Sequence, residues 1–342
     1  MIGQSEVTAN KQYQFQEIIQ THISIVKAIV SNPNKAQYWA DECLYIDAYS
    51  GNGLCESGPN MMGSALILLD ALKHSGIKSK VVLIEHDSKT CDELKINTSR
   101  YSSNLLDLEI WNADNSDVLA DLSRRPFPKK PLGMLYLDPN GVPGFEPAKR
   151  FLSLRQFGKI DLLVNCPCTA VKRTCSNVKC SNTSKVAEHL VGIDKCFWLV
   201  REQIGKWQWS FLLGTNWHAF PEFSHLNCRK ITTPEGRAIL EDITYTADDK
   251  KRFRSEGHYQ TYEEFMLHPF TRLTIKEVFG IAPKIYGKPQ CAICKCNPAT
   301  EPHHLRYPSW DSKNDVLIGF DSPQDILPVC RKCHALQHGK EK

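Results

Sequence analysis

The stretch Tyr45-Ile46-Asp47-Ala48-Tyr49-Ser50-Gly51-Asn52-Gly53 constrains this chain more than any other. An apolar run over 43–46 reads as a strand, and it turns abruptly at a small-residue loop holding two glycines. A stretch rich in Ala, Leu and Ile follows from Ser64 and reads as a helix. Strand, glycine loop and helix in that order bring backbone amides close to a nucleotide-like ligand. The same punctuation then recurs. Glu85 follows Val81-Val82-Leu83-Ile84, Asp114 follows the run 108–113, and Asp138 follows Met134-Leu135-Tyr136-Leu137. Four strand ends that each carry a carboxylate would line one rim of a parallel sheet, where open α/β folds bind ligands.

The segments between these markers alternate. Helical spacing over 64–74, 88–100 and 147–155 separates strand-like runs at 81–84, 108–111, 134–137 and 160–165. Such alternation predicts a doubly wound, mostly parallel sheet with helices on both faces. Ahead of it, Phe15, Ile18, Ile19, Ile23, Val26, Ile29 and Val30 have the spacing of an amphipathic helix over 13–30, expected to pack on the sheet. Behind it, 186–204 is expected as an apolar helix and 207–213 as a late strand. The polar insertion 54–63 reads as a loop near the ligand rim.

The residues of the loop narrow the ligand. A dinucleotide-binding turn would place a third glycine at position 56, which is Glu56, and no Gly-Lys-Ser/Thr follows for an NTPase loop. Asp47, Tyr49, Gly51 and Gly53 instead resemble the Asp-x-Phe/Tyr-x-Gly-x-Gly of S-adenosylmethionine-dependent methyltransferases, a Rossmann-like fold. That resemblance implies Glu85 on the ribose hydroxyls and Asp114 at the adenine amino group. With the Gly63-Ser64 step and Asp138-Pro139-Asn140-Gly141, residues 15–220 are similar to the three-Cys-motif partner family, which implies a neighbour-encoded protein partner. Asp138-Pro139 stands where amino-methyltransferases of DNA and RNA accept hydrogen bonds from the target amine, which implies catalytic roles for Asp138 and Pro139. Asn140 and Gly141 replace the usual proline and aromatic, so stacking on a base would fall to Phe145. The simpler alternative for Asp138-Pro139 is a strand-to-loop turn.

The C-terminal residues change character. A helix is expected from Tyr262 to about residue 279, then a linker, then Cys291-x-x-Cys294 and Cys330-x-x-Cys333. Two such knuckles predict a structural zinc held by Cys291, Cys294, Cys330 and Cys333, because four thiolates can fix a fold too small for a core of its own. His303-His304 lies between the knuckles, and His334 and His338, four apart, share a helix face. This pattern resembles an HNH nuclease module of treble-clef type. The resemblance implies a magnesium- or manganese-like ion on His303 and His338, with His334 as a further ligand and His304 as general base; Asp325 stands near the place of the family's middle Asn. The alternative is a structural zinc module that only grips nucleic acid.

Composition sets the outer bounds. At 342 residues, the chain has room for a methyltransferase-like domain over 1–250 and a zinc module with its leading helix over 251–342. No apolar run reaches the ~18 residues of a membrane span, and the first residues are too polar for a secretory signal. A cytoplasmic protein is therefore expected, and its fourteen cysteines read as metal ligands or buried thiols before disulfides. Cys166, Cys168, Cys175 and Cys180, beside Lys172, Arg173 and Lys179, read as thiols of a basic loop. A net charge of +4 permits nucleic acid, DNA favoured, as partner. Joining a methyl-donor fold to an HNH module is analogous to modification and restriction in defence against foreign DNA. The alternative is a nuclease whose N-terminal domain only senses S-adenosylmethionine or a nucleotide.

Overall fold

The computed structural model describes residues 6–36, 38–40, 42–55, 61–127, 129–139, 145–167, 185–202, 209–217, 221–244, 258–259, 261–307, 309–311, 316–319 and 321–339. Cys168, Cys175, Cys180, Arg173, Asn140 and Gly141 lie outside them. No helix of the described residues is long and apolar enough to cross a membrane.

Eight strands form a mixed, mostly parallel sheet: β1 (Cys43–Asp47), β2 (Ser79–Glu85), β3 (Leu106–Asn112), β4 (Gly133–Leu137), β5 (Ile160–Pro167), β6 (Phe197–Arg201), β7 (Trp209–Thr215) and β8 (Cys228–Lys230). Their order is β3-β2-β1-β4-β5-β7-β6-β8. From β3 to β5 every pairing is parallel, and β7 runs antiparallel to β5. The chain reverses direction of travel between β1 and β4, which is the switch point where such sheets open a ligand crevice.

The chain divides into two compact units. The first takes residues 1–170, 201–215 and 220–228; the second takes 171–200, 216–219 and 229–342. The C-terminal helices share a unit with residues 171–200, which include most of β6.

In the first unit, β1 and β4 are buried along their whole length, which is why they read as continuous apolar runs rather than alternating ones. Gly133 begins β4 with φ 150°, and a Cβ there would fall 1.8 Å from the Leu44 carbonyl oxygen. Only glycine lets these two strands approach. Helix α1 (Glu6–Val30) lays Phe15, Ile18, Ile19, Ile23 and Val26 into the core, as its spacing predicts. Arg201 anchors it, donating to the Gln14 carbonyl and, at 2.8 Å, to Glu17. Helices α2 (Ser64–Ser75), α3 (Ser88–Thr98), α4 (Asn115–Arg124) and α5 (Glu146–Leu152) supply the crossovers.

The second unit corrects two sequence expectations. The run 186–204 is not one helix: α6 (Lys185–Gly192) ends at its glycine, and Phe197-Trp198-Leu199-Val200 are extended in β6. β-Branched and aromatic residues buried on both faces favour the strand. The helix expected from Tyr262 is also broken. After α7 (Pro234–Thr244) come α8 (Tyr262–Leu267) and α9 (Pro269–Ile281), because Pro269 cannot continue a helix and holds His268 extended at ψ 135°.

The rest of this unit is built from short strands: β9 (His258–Tyr259), β10 (Lys284–Ile285), β11 (Lys288–Pro289), β12 (Glu301–His304), β13 (Ser309–Asp311), β14 (Val316–Ile318) and β15 (Ile326–Val329), then helix α10 (Arg331–Gln337). Positive φ at Tyr286 and Gly287 gives the β10–β11 hairpin its tight turn, where the sequence suggested only a linker. β12 pairs antiparallel with β15.

Candidate functional site

Three carboxylates and the glycine loop do meet at the C-terminal ends of β1, β2 and β4. Asp47 is fully buried; its oxygens accept from Ser64 Oγ at 2.7 Å and from the Tyr49 amide at 3.1 Å. Burial pushes this carboxyl up to about 7, against the pull of those two donors. Glu85 accepts from the amides of Gly51, at 3.0 Å, and Asp87, at 2.8 Å, so the end of β2 is tied to the loop after β1. Gly51 and Gly53 hold φ of 56° and 82°, and a Cβ on Gly51 would meet nothing within 4 Å. The loop backbone therefore faces open space beside Glu85, a fit for a ligand that must come close to main chain. Tyr49 is half-buried in the same loop.

Asp114 has a local duty. Its carboxylate caps α4, accepting from the Ser116 amide at 2.8 Å and from the Ser116 hydroxyl, which hold it below the usual carboxylate range. It is exposed at the end of the β3 segment.

Asp138 is held from two sides. Asn165 Nδ2 donates to Oδ1 at 2.6 Å, and the Lys11 ammonium meets Oδ2 at 2.8 Å. Both side chains around the ion pair are mostly covered, at 21% and 15% exposure. Pro139 follows directly and is half-buried. Phe145 is 2% exposed, buried as the residue before α5, so it has no face to offer an incoming base.

In the second unit, the Sγ atoms of Cys291, Cys294, Cys330 and Cys333 lie within 4.8 Å of one another. The first knuckle turns through Lys295 at φ 56°, and the second is the start of α10, with Cys330 as its N-cap. The buried cluster here is small: Cys291, Val329, Cys330 and Cys333, with Cys294 and Leu327 against it. The donor set fits zinc by its own chemistry. Backbone amides lower the Cys294 thiol to about 6, whereas burial and the neighbouring sulfurs push Cys333 up to about 12. Four thiolates so close cannot all ionise without a cation to neutralise them, and zinc does that in a tetrahedron.

A second cluster joins His303, His334 and His338, whose ligand atoms also lie within 4.8 Å. His303 comes from β12 and the other two from α10 and its end. His334 Nδ1 meets Glu301 Oε2 at 2.6 Å, which turns its Nε2 toward His338 Nε2 at 3.1 Å. Two such nitrogens at that distance must share a proton or a metal. His303 Nδ1 is buried without a hydrogen-bond partner among the described residues. Burial and its two histidine neighbours hold His303 below its ordinary pKa, hence neutral as a ligand must be.

His304 is not in this cluster. Adjacent strand residues face opposite ways, and on the other side of β12 His304 is 3% exposed. Its Nε2 meets Asp321 Oδ2 at 3.0 Å and its Nδ1 meets the Tyr262 hydroxyl at 3.2 Å. Both ring nitrogens of His304 are engaged, and the structure does not bring it together with His303, His334 and His338. The Asp325 carbonyl accepts from the Leu305 amide, and its carboxylate faces Arg306 at 3.8 Å.

Sequence reading missed Lys11, Asn165, Glu301, Asp321 and Tyr262. Glu301 alone carried a signal, since it stands two residues before His303 on a strand and so shares its face.

No family model matches the chain, and no curated protein matches it. Among solved structures, it is similar to protein LPL1258 from Legionella pneumophila at 14% identity and TM-score 0.41, covering 62% of this chain and 88% of that one. Human methyltransferase-like protein 13 in complex with SAH is similar at 15% identity and TM-score 0.36, over 68% and 89%. An rRNA methylase from Streptococcus thermophilus follows at 13% and 0.31, over 54% and 98%. Likenesses this distant carry no functional argument.

Proposed function

We propose that the first unit binds S-adenosylmethionine at the rim of β1, β2 and β4 and carries out methyl transfer beside Asp138. The observation that carries this reading is the open-faced Gly51 loop held against Glu85, with Asp47 buried beneath it. In this reading the ribose hydroxyls donate to lone pairs of Glu85 not used by the two amides, and the methionine portion lies along Gly51 and Gly53. Bound S-adenosylmethionine supplies an electrophilic methyl group on a sulfonium. Asp138, held by Asn165, orients the acceptor, and Asp114 stands where adenine would end. A three-Cys-motif partner type of protein, acting with a neighbour-encoded partner, is part of the same proposal.

Calorimetric titration with S-adenosylmethionine and S-adenosylhomocysteine tests it. Glu85→Ala removes charge-assisted hydrogen bonds of roughly 1.5–3 kcal/mol, which is a ten- to hundredfold loss of affinity. Absence of binding in the unaltered protein, or unchanged affinity in Glu85→Ala, ends the assignment.

A second reading concerns the C-terminal module, and the three-imidazole cluster favours it. We infer that His303, His334 and His338 hold a metal ion for phosphodiester cleavage of nucleic acid in an HNH-like module, with a place in defence against foreign DNA. Three imidazoles, one of them backed by Glu301, suit a zinc-like transition metal better than the magnesium or manganese expected from the resemblance. Such an ion, when bound, lowers the pKa of a coordinated water to about 7. His304 then tethers β12 to Tyr262 and Asp321. His338→Ala is expected to abolish nicking of plasmid, single-stranded DNA or structured RNA while the four-cysteine zinc stays. If no divalent ion supports cutting of any of these, the module is a nucleic-acid grip instead.

A further inference from the structure

Asp138 already holds an amine. The Lys11 ammonium, reaching from α1, is 2.8 Å from Oδ2, on the carboxylate that the proposed reaction uses to orient its acceptor, and Asn165 occupies the other oxygen. The lysine does not hang loosely there: α1 is buried along Phe15, Ile18 and Ile19, and Arg201 ties its backbone and Glu17 in place. Lys11 is also the nearby positive charge that pulls the Asp47 carboxyl down against burial. A flat nucleobase at this point would want an aromatic face, and Phe145, the residue the sequence offered, is buried. An aliphatic amine needs only the carboxylate.

We propose that Lys11 is itself a methylation site, modified in cis at Asp138 by the S-adenosylmethionine of the same unit. The proposal rests on the reading of the first unit as an S-adenosylmethionine site. In the step, the Lys11 ammonium releases one proton to water by way of Asp138, and the freed Nζ lone pair forms a bond to the donor methyl carbon. The carbon–sulfur bond breaks with its electron pair going to sulfur. Methyl-lysine and S-adenosylhomocysteine result, with one proton released overall. Methylation leaves the positive charge in place but removes a donor hydrogen and adds bulk at the carboxylate.

The experiment incubates the full chain with S-adenosylmethionine labelled in its methyl group, then maps the label by peptide mass spectrometry, with calorimetry of the same samples. Label is expected on Lys11, at a rate that rises with pH and does not change on dilution of the protein. Lys11→Arg, which keeps the ion pair, and Asp138→Asn are expected to lose that label. A readout without the donor accompanies it: amine acetylation of Lys11 is expected to be several-fold slower than that of exposed Lys95 and to speed up in Asp138→Asn. If calorimetry shows the donor bound and the Lys11 peptide stays unlabelled, or label spreads over lysines without preference, self-methylation is overturned while the donor site stands. If the donor does not bind, both fall. Label that depends on protein concentration overturns the cis arrangement.

Discussion

The acidic rim of the first unit and the ligand clusters of the second both crowd groups that compete for protons, and they resolve the conflict differently. At the rim each carboxylate has donors from the protein itself: Ser64 and Tyr49 for Asp47, two amides for Glu85, Lys11 and Asn165 for Asp138. Beneath it lies a sheet whose central strands are wholly buried. That site is preformed, and losing a ligand should cost it no structure. Among the described residues, the four sulfurs have one another, the Cys296 thiol, a few amides and a handful of apolar neighbours. A cation held by the four would neutralise them and order the region. The contrast teaches where to look for stability: at the rim it resides in packing, and at the four cysteines a bound cation would supply it.

The largest expected effect breaks this comparison if it fails. Structural zinc contributes on the order of 10–16 kcal/mol in small modules, far more than the cluster around Val329 can supply. Chelation, or Cys330→Ser, should therefore abolish amide-exchange protection in β12, β15 and α10 and leave β1 to β5 protected. Equal protection of β12 with and without chelator would put the stability of the module back into packing.

The next effect has opposite signs in the two units. Burial, and then the Arg237 charge, lowers His268 to about 4, below the ~6.5 of an unfolded histidine. Its contribution to stability is present above about 6.5 and is lost as pH falls toward 4, by about 3 kcal/mol. Asp47 is the reverse case. Its carboxyl is raised to about 7, so its contribution is complete below about 4 and is lost as pH rises through 7. Melting followed separately in each unit should show the second weakening as pH falls from about 6.5 toward 4 and the first weakening as pH rises from about 4 to 7. His268→Leu should flatten the first of these slopes and Asp47→Asn the second; parallel pH profiles would erase the distinction.

The smallest effect sharpens the comparison within the rim. Asp114→Ala removes the cap of α4 and should cost about 1 kcal/mol, with Asp114→Asn restoring most of it. If S-adenosylmethionine affinity follows the cap rather than the charge, Asp114 acts on the ligand only through the helix.

How much of this was legible follows from the range over which each feature acts. Glu85, Asp114 and Asp138 were visible because a carboxylate at a strand end is a local mark, and the two knuckles because spacing is all that a zinc site requires. The 186–204 run was misread since a fully buried strand and a helix look alike when both are apolar. Lys11 was invisible: it meets Asp138 across 127 positions, and nothing beside either residue announces the other. His304 is different, because the parity of a strand already separates it from His303. The resemblance to a nuclease motif put the two on one task, and the pleat puts them on two.

That parity has a consequence for how the module can change. β12 has only four residues, with Glu301 and His303 committed to the imidazole cluster and His304 to Tyr262 and Asp321. Its alignment with β15 is fixed by backbone pairing, so a slip of one position would exchange the two histidines and send Glu301 to the wrong side. Substitutions between Cys294 and Glu301 can accumulate one at a time. A single-residue insertion or deletion there is a different kind of event, because a slip passed on to β12 exchanges both faces of that strand at once. The length of that connection, more than its letters, is what inheritance has to preserve.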